Sequence, residues 1–288
     1  MKSLLFLGTG AVLHATGERN LGRLGGLIHR MPWAAWLTLV GVLAIAGLPP
    51  LNGFVSEWLL LQTFLFSHEV PQPFVNMLLP LGAAIVALAA ALAGYVMVKF
   101  FGIVFLGQPR ESSLAVAHDV DGFEKAGLVW LAIGCVLLGL LPSQVIHALG
   151  AATGQLIGAA PNLAGQSWWM LAPLTERDVS YAPLVLLAVI VAVIAATFLI
   201  VRVVYRRPVR RAPTWDCGFG RLDPRMQDTA EGFGQPIRHI FVSFFEMERD
   251  LPSPLDLVPR YRVKVSDRFW KGVYLPIAAL LARAANSV

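Results

Sequence analysis

The chain has 288 residues, 56% of them hydrophobic and only 14% charged, with a mean hydropathy of +0.64. Soluble domains carry about 25% charged residues, so the composition excludes an ordinary soluble domain and indicates a membrane protein. Lys and Arg outnumber Asp and Glu by 23 to 18, too thin an excess, in too proline-rich a tail, for a nucleic-acid module; the two cysteines, Cys135 and Cys217, lie far apart outside any CxxC or His-rich setting, which excludes a disulfide framework and a metal or iron–sulfur site.

About 20 helical residues cross a bilayer core, so apolar runs mark the spans. Residues 1–16 form a short apolar helix, and no small-x-small site before the charged segment suggests a cleavable signal peptide. A basic loop, 17–32, follows. Residues 33–67 form an apolar block interrupted by GLPPLNGFVSEW, and 76–107 form a long span ending in GYVMVKFFGIVFLG. Residues 125–142 make another span, 143–181 read as an interfacial loop, and 182–204 are a plain lipid-type span. The predicted fold is all-α: a polytopic bundle of about five spans, one of them discontinuous, with an amphipathic tail. The expected divisions are 1–107, 108–204 and 205–288.

Basic residues orient these spans. Arg19, Arg23 and Arg30 lie in the 17–32 loop, and Arg206, Arg207, Arg210 and Arg211 follow residue 204, whereas 68–75 holds no Lys or Arg and 143–181 only Arg177. The positive-inside rule then places 17–32, 108–124 and the tail in the cytoplasm, as for a multi-pass protein of the inner (cytoplasmic) membrane. The spans alternate correctly only if 33–67 crosses once.

A continuous helix over 33–67 would be about 52 Å long, against a core of about 30 Å. Two half-helices joined by non-helical chain near Pro49, Pro50, Asn52 and Gly53 are therefore expected. Such a break is tolerated at membrane depth only where protein or water covers it. Asn52 is the expected N-cap of the second half, and Glu57 falls in its first turn or just beyond. There the helix dipole favours the carboxylate and burial the neutral acid, a balance that suits proton exchange. The plainer alternative is a surface loop with Glu57 exposed. The alternation of loops favours the intramembrane break, and an intramembrane acid is a functional-site candidate.

Lys99 lies about 12 Å below the following loop; snorkelling to the surface and a functional role are both open. Lys2 opens an apolar helix, and His14 lies near the cytoplasmic end of the same helix, where an interfacial role is the commoner one.

The stretches KSLLFLGTGAVLHATGERNLGRLGGL, GFVSEW and VKFFGIVFLGQPRE resemble the antiporter-like, proton-conducting membrane subunits of respiratory complex I, membrane-bound hydrogenases and multisubunit sodium/proton antiporters. NGFVSEWL with the tail's WDCGFG and DPRMQ is most similar to the hydrogenase-4 component B and formate hydrogenlyase branch. The resemblance implies a proton relay: Lys2 matches a lysine of the buried protonatable chain, Glu57 the charged residue of the second broken helix, and Lys99 a basic position on the next helix. His14 is an implied cytoplasmic-side participant. The resemblance implies that several family members carry lysine at the position of Glu57, so glutamate marks a subset and changes the sign of the site.

The resemblance further implies two inverted repeats in about fourteen spans, of which this chain holds the end of the second. A fragment or a split subunit is expected, with another chain supplying the missing repeat. Expected partners are membrane subunits of a hydrogenase or complex I-like assembly and the lipid bilayer, without nucleic acid. No cofactor is expected, so any oxidoreductase activity belongs to the complex. Two alternatives stand: a subunit of a cation/proton antiporter, and a non-conducting membrane anchor or assembly subunit. Near the C-terminus an apolar stretch flanked by Arg268, Lys271 and Arg283 fits an amphipathic helix on the membrane or on a neighbouring subunit. Asp216 and Cys217 have no histidine at useful spacing and read as packing or subunit-contact residues.

Overall fold

A computed structural model of the chain describes residues 1–66, 71–158, 170–171, 180–204, 212–213, 215–218, 220, 222–224, 226–232, 234–257 and 262–286. Contacts divide it into two units, Met1–Gln227 and Asp228–Val288.

The first unit is a helical bundle. Helix α1 (Lys2–Thr16) ends at Gly17, whose left-handed backbone lets its N–H donate to the Leu13 carbonyl. Helix α2 (Pro32–Ile45) starts on a proline, which costs nothing at a position with no intrahelical N–H partner. Its remaining N-terminal donors are satisfied from a distance. Asp119 Oδ2 accepts from the Trp33 N–H at 2.8 Å and Oδ1 from the Ala34 N–H at 3.2 Å. After the break come α3 (Asn52–Phe66), α4 (Pro73–Phe105), α5 (Gly122–Leu140), α6 (Pro142–Ile157) and α7 (Pro183–Val204). Asp121 caps α5 by accepting from the Glu124 N–H at 2.9 Å.

Three of these helices, α4, α5 and α7, are long and apolar enough to cross a membrane, and α2 is a shorter apolar helix. The chain is a multi-pass, mainly helical membrane protein. The 143–181 region departs from the expected loop: its first part is α6, started by Pro142 and stopped by Gly158 in a left-handed conformation. Its Gly and Gln content had masked a helix bounded by ordinary start and stop residues.

The buried residues sit where α1, α2, α4 and α5 meet. Leu27, Met31, Val42, Val104, Phe105 and Leu114 form one cluster, and Leu4, Ala44, Leu128 and Cys135 another. Helices α1 and α2 approach closely because small residues line their contact. A methyl group on Gly8 would collide with Thr38 Oγ1, and one on Gly41 would press on Leu4 and Leu5 at 3.0–3.2 Å. In lipid such backbone approach replaces the hydrophobic drive between helices.

The second unit corrects the all-α expectation. It contains a short helix α8 (Gln235–Ile240) and an antiparallel hairpin of β1 (Phe245–Asp250) and β2 (Arg262–Asp267), with Met247 opposite Val265. FEMERD and RVKVSD alternate with period two, and opposed charges face each other across the strands, Lys264 lying 3.4 Å from Glu248. A turn of π-helix (Trp270–Tyr274) leads into α9 (Leu275–Asn286). Lys271 Nζ reaches Glu246 Oε2 at 2.6 Å and ties this helix to the hairpin. That contact holds the Glu246 carboxyl below the usual carboxylate range and raises Lys271.

Candidate functional site

The apolar block from 32 to 66 is interrupted as expected, and the interruption has a defined construction. Helix α2 ends with the Leu48 N–H donating to the Leu43 carbonyl at 3.1 Å and the Gly47 N–H to the Ala44 carbonyl at 3.3 Å. These two bonds make a Schellman stop, with Gly47 at φ 67° in the left-handed position that favours glycine. Pro49 and Pro50 follow, joined by a cis peptide bond, and cannot extend the helix. The chain turns through Leu51, whose N–H donates to the Leu48 carbonyl at 3.1 Å.

Asn52 is the first residue of α3 rather than its N-cap. The Leu51 carbonyl accepts from the Val55 N–H, and Asn52 Oδ1 is buried without a hydrogen-bond partner among the described residues. The cap position has moved one residue back because the chain is already helical at Asn52.

Glycines let three segments meet at this point. A methyl group on Gly53 would strike the Ala44 carbonyl of α2 and lie 3.5 Å from Met1 Sδ at the start of α1. One on Gly139 of α5 would strike the Pro50 carbonyl and lie 2.7 Å from the Leu51 carbonyl carbon. The break is thus clasped by α1, α2 and α5.

Glu57 sits on the second turn of α3, half-buried, and turns back over the end of α2. A methyl group on Gly47 would collide with its Oε2. The positive end of α3 and the negative end of α2 therefore act on one carboxyl group in opposite senses. As a neutral acid it can donate a proton to a carbonyl; as a carboxylate it can only accept. Phe54 and Trp58 of the same helix stack on each other and meet the Tyr181 ring at a tilt, with ring centroids 5.5 and 6.4 Å from it.

The other sequence-predicted residues lie apart from this carboxyl. Lys2 is exposed, on the α1 stripe that continues through Phe6, Thr9 and Leu13. Those three residues, with Leu24, Phe100 and Val104, line an open groove of about 310 Å³. Lys99 is half-buried in the last two turns of α4. His14 lies at the far end of α1, where its Nδ1 is 3.4 Å from Glu124 Oε1 and its ring meets His118 edge-on at 6.0 Å. Asp216 holds a turn, accepting from the Gly218 and Gly220 N–H groups at 3.0 and 3.1 Å. Arg206, Arg207, Arg210, Arg211 and Arg177 lie outside the described residues.

Sequence reasoning missed Gly47, Gly139 and Asp119. Gly47 had a signal, a glycine closing an apolar helix just before Leu-Pro-Pro. Gly139 and Asp119 act on segments distant in sequence and had none.

A sequence model of the NADH:quinone oxidoreductase/Mrp antiporter transmembrane family matches residues 1–79, which contain α1, α2, the break and α3. Over 284 residues, 97% of its length, the chain is 32% identical to formate hydrogenlyase subunit 3 of Escherichia coli (strain K12), and it covers 43% of that protein. It is 30% identical over 299 residues to hydrogenase-4 component B of the same organism, covering 44% of it. Among solved structures it is similar to a chain of the membrane-bound sulfane sulfur reductase, an archaeal respiratory membrane complex. That match has a TM-score of 0.61 and 25% identity, and covers 84% of this chain and 37% of the other. The chain spans rather less than half the length of these curated relatives. Its helices, its broken segment and these likenesses together make it similar to antiporter-like membrane subunits, with residues 1–79 matching the NADH:quinone oxidoreductase/Mrp antiporter transmembrane family.

Proposed function

We propose that the chain is the ion-translocating part of a membrane subunit in a hydrogenase-4, formate hydrogenlyase or complex I-like redox complex, and that the ion is the proton. The observation that carries this reading is the Glu57 carboxyl lying across the helix break, over the end of α2. There it alternates between donor and acceptor as its proton comes and goes. Buried acids at such breaks are costly and rarely serve structure alone.

Lys2 and Lys99 take part as cationic members of the relay, their charge shifting the proton affinity of Glu57 electrostatically. The redox reaction belongs to partner subunits, which supply the electrostatic change and, in this reading, the remaining conducting repeat. The end carrying Arg19, Arg23 and Arg30 faces the cytoplasm of an inner-membrane protein, as does the tail. In this arrangement α1 and the discontinuous α2–α3 pair each cross once alongside α4, α5 and α7, giving five spans. A second reading, exchange of a metal cation for protons, is favoured by the Mrp antiporter members of the same family.

The test is proton translocation by membrane vesicles carrying the assembled complex. Glu57→Gln stops acidification while redox turnover and assembly persist; translocation at the unaltered rate overturns the proposal. Sodium-dependent exchange without redox turnover selects the antiporter reading.

A further inference from the structure

We propose that His14, His118 and Glu124 form a proton-binding cluster at the opposite end of the bundle from the break, where protons are taken from water for the path that Glu57 serves. The inference rests on the ion-translocation reading above.

The three side chains come from three segments: the last turn of α1, the chain leading into α5, and the first turn of α5. His14 Nδ1 lies 3.4 Å from Glu124 Oε1, and the two imidazoles meet edge-on at 6.0 Å. His118 Nδ1 is 3.2 Å from the Asp119 carbonyl, which can only accept, so Nδ1 carries the hydrogen. Nε2 is then the exchanging nitrogen of His118. The side chains of His14 and Glu124 are 69% and 40% exposed, at the end of the bundle that the proposed orientation turns to the cytoplasm. Imidazole is the side chain whose charge changes in the physiological range.

The neighbouring charges have other tasks. On the loop after α1, Glu18 accepts from the Arg19 and Asn20 N–H groups and pairs with Arg23; the Asn20 N–H above all keeps it below the usual carboxylate range. Asp119 caps α2, Asp121 caps α5, and Lys125 lies over the Trp33 ring at 3.2 Å. His29 and Arg30 lie on the chain entering α2, and α2 itself carries no titratable side chain. Protonating the cluster therefore undoes no helix cap.

Position gives the cluster its purpose. Met1 at the other end of α1 and Gly139 at the other end of α5 both touch the break. His14 and Glu124 thus stand about 20 Å along these two helices from it, a little over half the thickness of a bilayer core. Two helices that clasp the break also carry the cluster. The step is a proton exchange alone: an imidazole nitrogen accepts a proton from water, gives it up to water that leads toward the path Glu57 serves, and returns to its neutral form.

The test compares proton translocation against pH in vesicles holding the intact complex, for the unaltered protein, His14→Asn, His118→Asn, the double variant, Glu124→Gln and Glu57→Gln. The expected result is a several-fold loss in the double variant at alkaline pH that disappears at acid pH, where bulk protons are plentiful, with redox turnover unchanged. If a His14 variant lowers the amount of complex, His118→Asn alone is expected to show the same change of pH profile. Profiles identical to the unaltered protein, or an equal loss at every pH, overturn the cluster and leave the role of Glu57 standing. Undiminished translocation by Glu57→Gln overturns both.

Discussion

Glu57 and Gly47 face each other across the helix break, ten positions apart in the chain, with the carboxyl of one occupying the space a side chain on the other would fill. Gly47 therefore serves twice, as the left-handed stop of α2 and as the floor beneath the acid. Gly47→Ala is expected to destabilise the subunit by about 1–2 kcal/mol through its backbone alone, and to displace the carboxyl as well. Translocation should fall in Gly47→Ala while Gly47→Ala combined with Glu57→Gln is no worse than Glu57→Gln, a non-additivity read by a double-mutant cycle.

Gly139 presses on the carbonyl of Pro50, whereas Gly134 on the same helix has open space around its Cα. Gly139→Leu should prevent the break from seating on α5 and lower the yield of assembled complex in native gels. Gly134→Leu should assemble normally. Equal yields from the two variants would contradict the clasp of α5 on the break.

Asp119 supplies the N-terminal cap of α2 from more than eighty residues away, and also accepts from the Val120 N–H at 2.8 Å. Asp119→Ala should cost about 1 kcal/mol or more, within the range of lost helix caps, and lower the detergent-solubilised Tm. Asp119→Asn, which keeps one acceptor oxygen, should recover part of the loss.

How much of this could be read from the chain depends on the range of each interaction. Pro49–Pro50 and Asn52–Gly53 announce the break because proline and glycine act on their own backbone. The half-buried acid at its edge, Glu57, follows from the same local reading. Asn52 was misplaced by one residue since capping depends on where the helix begins, which the turn through Leu51 decides. Asp119 and Gly139 could not be found, because their partners lie beyond any sequence window. Lys2 stands on an exposed stripe of α1, a matter of rotation about the helix axis that a lone lysine does not encode. The hairpin in the tail was hidden by a different cause: its strands are only six residues each, and although FEMERD and RVKVSD alternate, their charged faces leave a weak apolar signal beside the helical stretch that follows.

The Glu246–Lys271 contact makes the hairpin sensitive to pH at both extremes. Glu246 is depressed by Lys271, so its stabilisation is present above the ordinary carboxylate range and is lost as pH falls through the lowered value. Lys271 is raised by Glu246, so its contribution is present below the ordinary lysine range and is lost as pH rises through the raised value. Amide exchange protection in β1 and β2 should be level through neutral pH and fall at either end. In Lys271→Met the acid-side fall should move up toward the ordinary carboxylate range.

The most direct measurement of the central claim is redox-induced infrared difference spectroscopy of the assembled complex, following the carbonyl stretch of protonated carboxyl groups. If Glu57 takes up and releases a proton at the break, a carboxyl band should change on turnover in the unaltered protein and be absent from Glu57→Gln. Identical difference spectra from the two proteins would contradict a proton-exchanging role for Glu57.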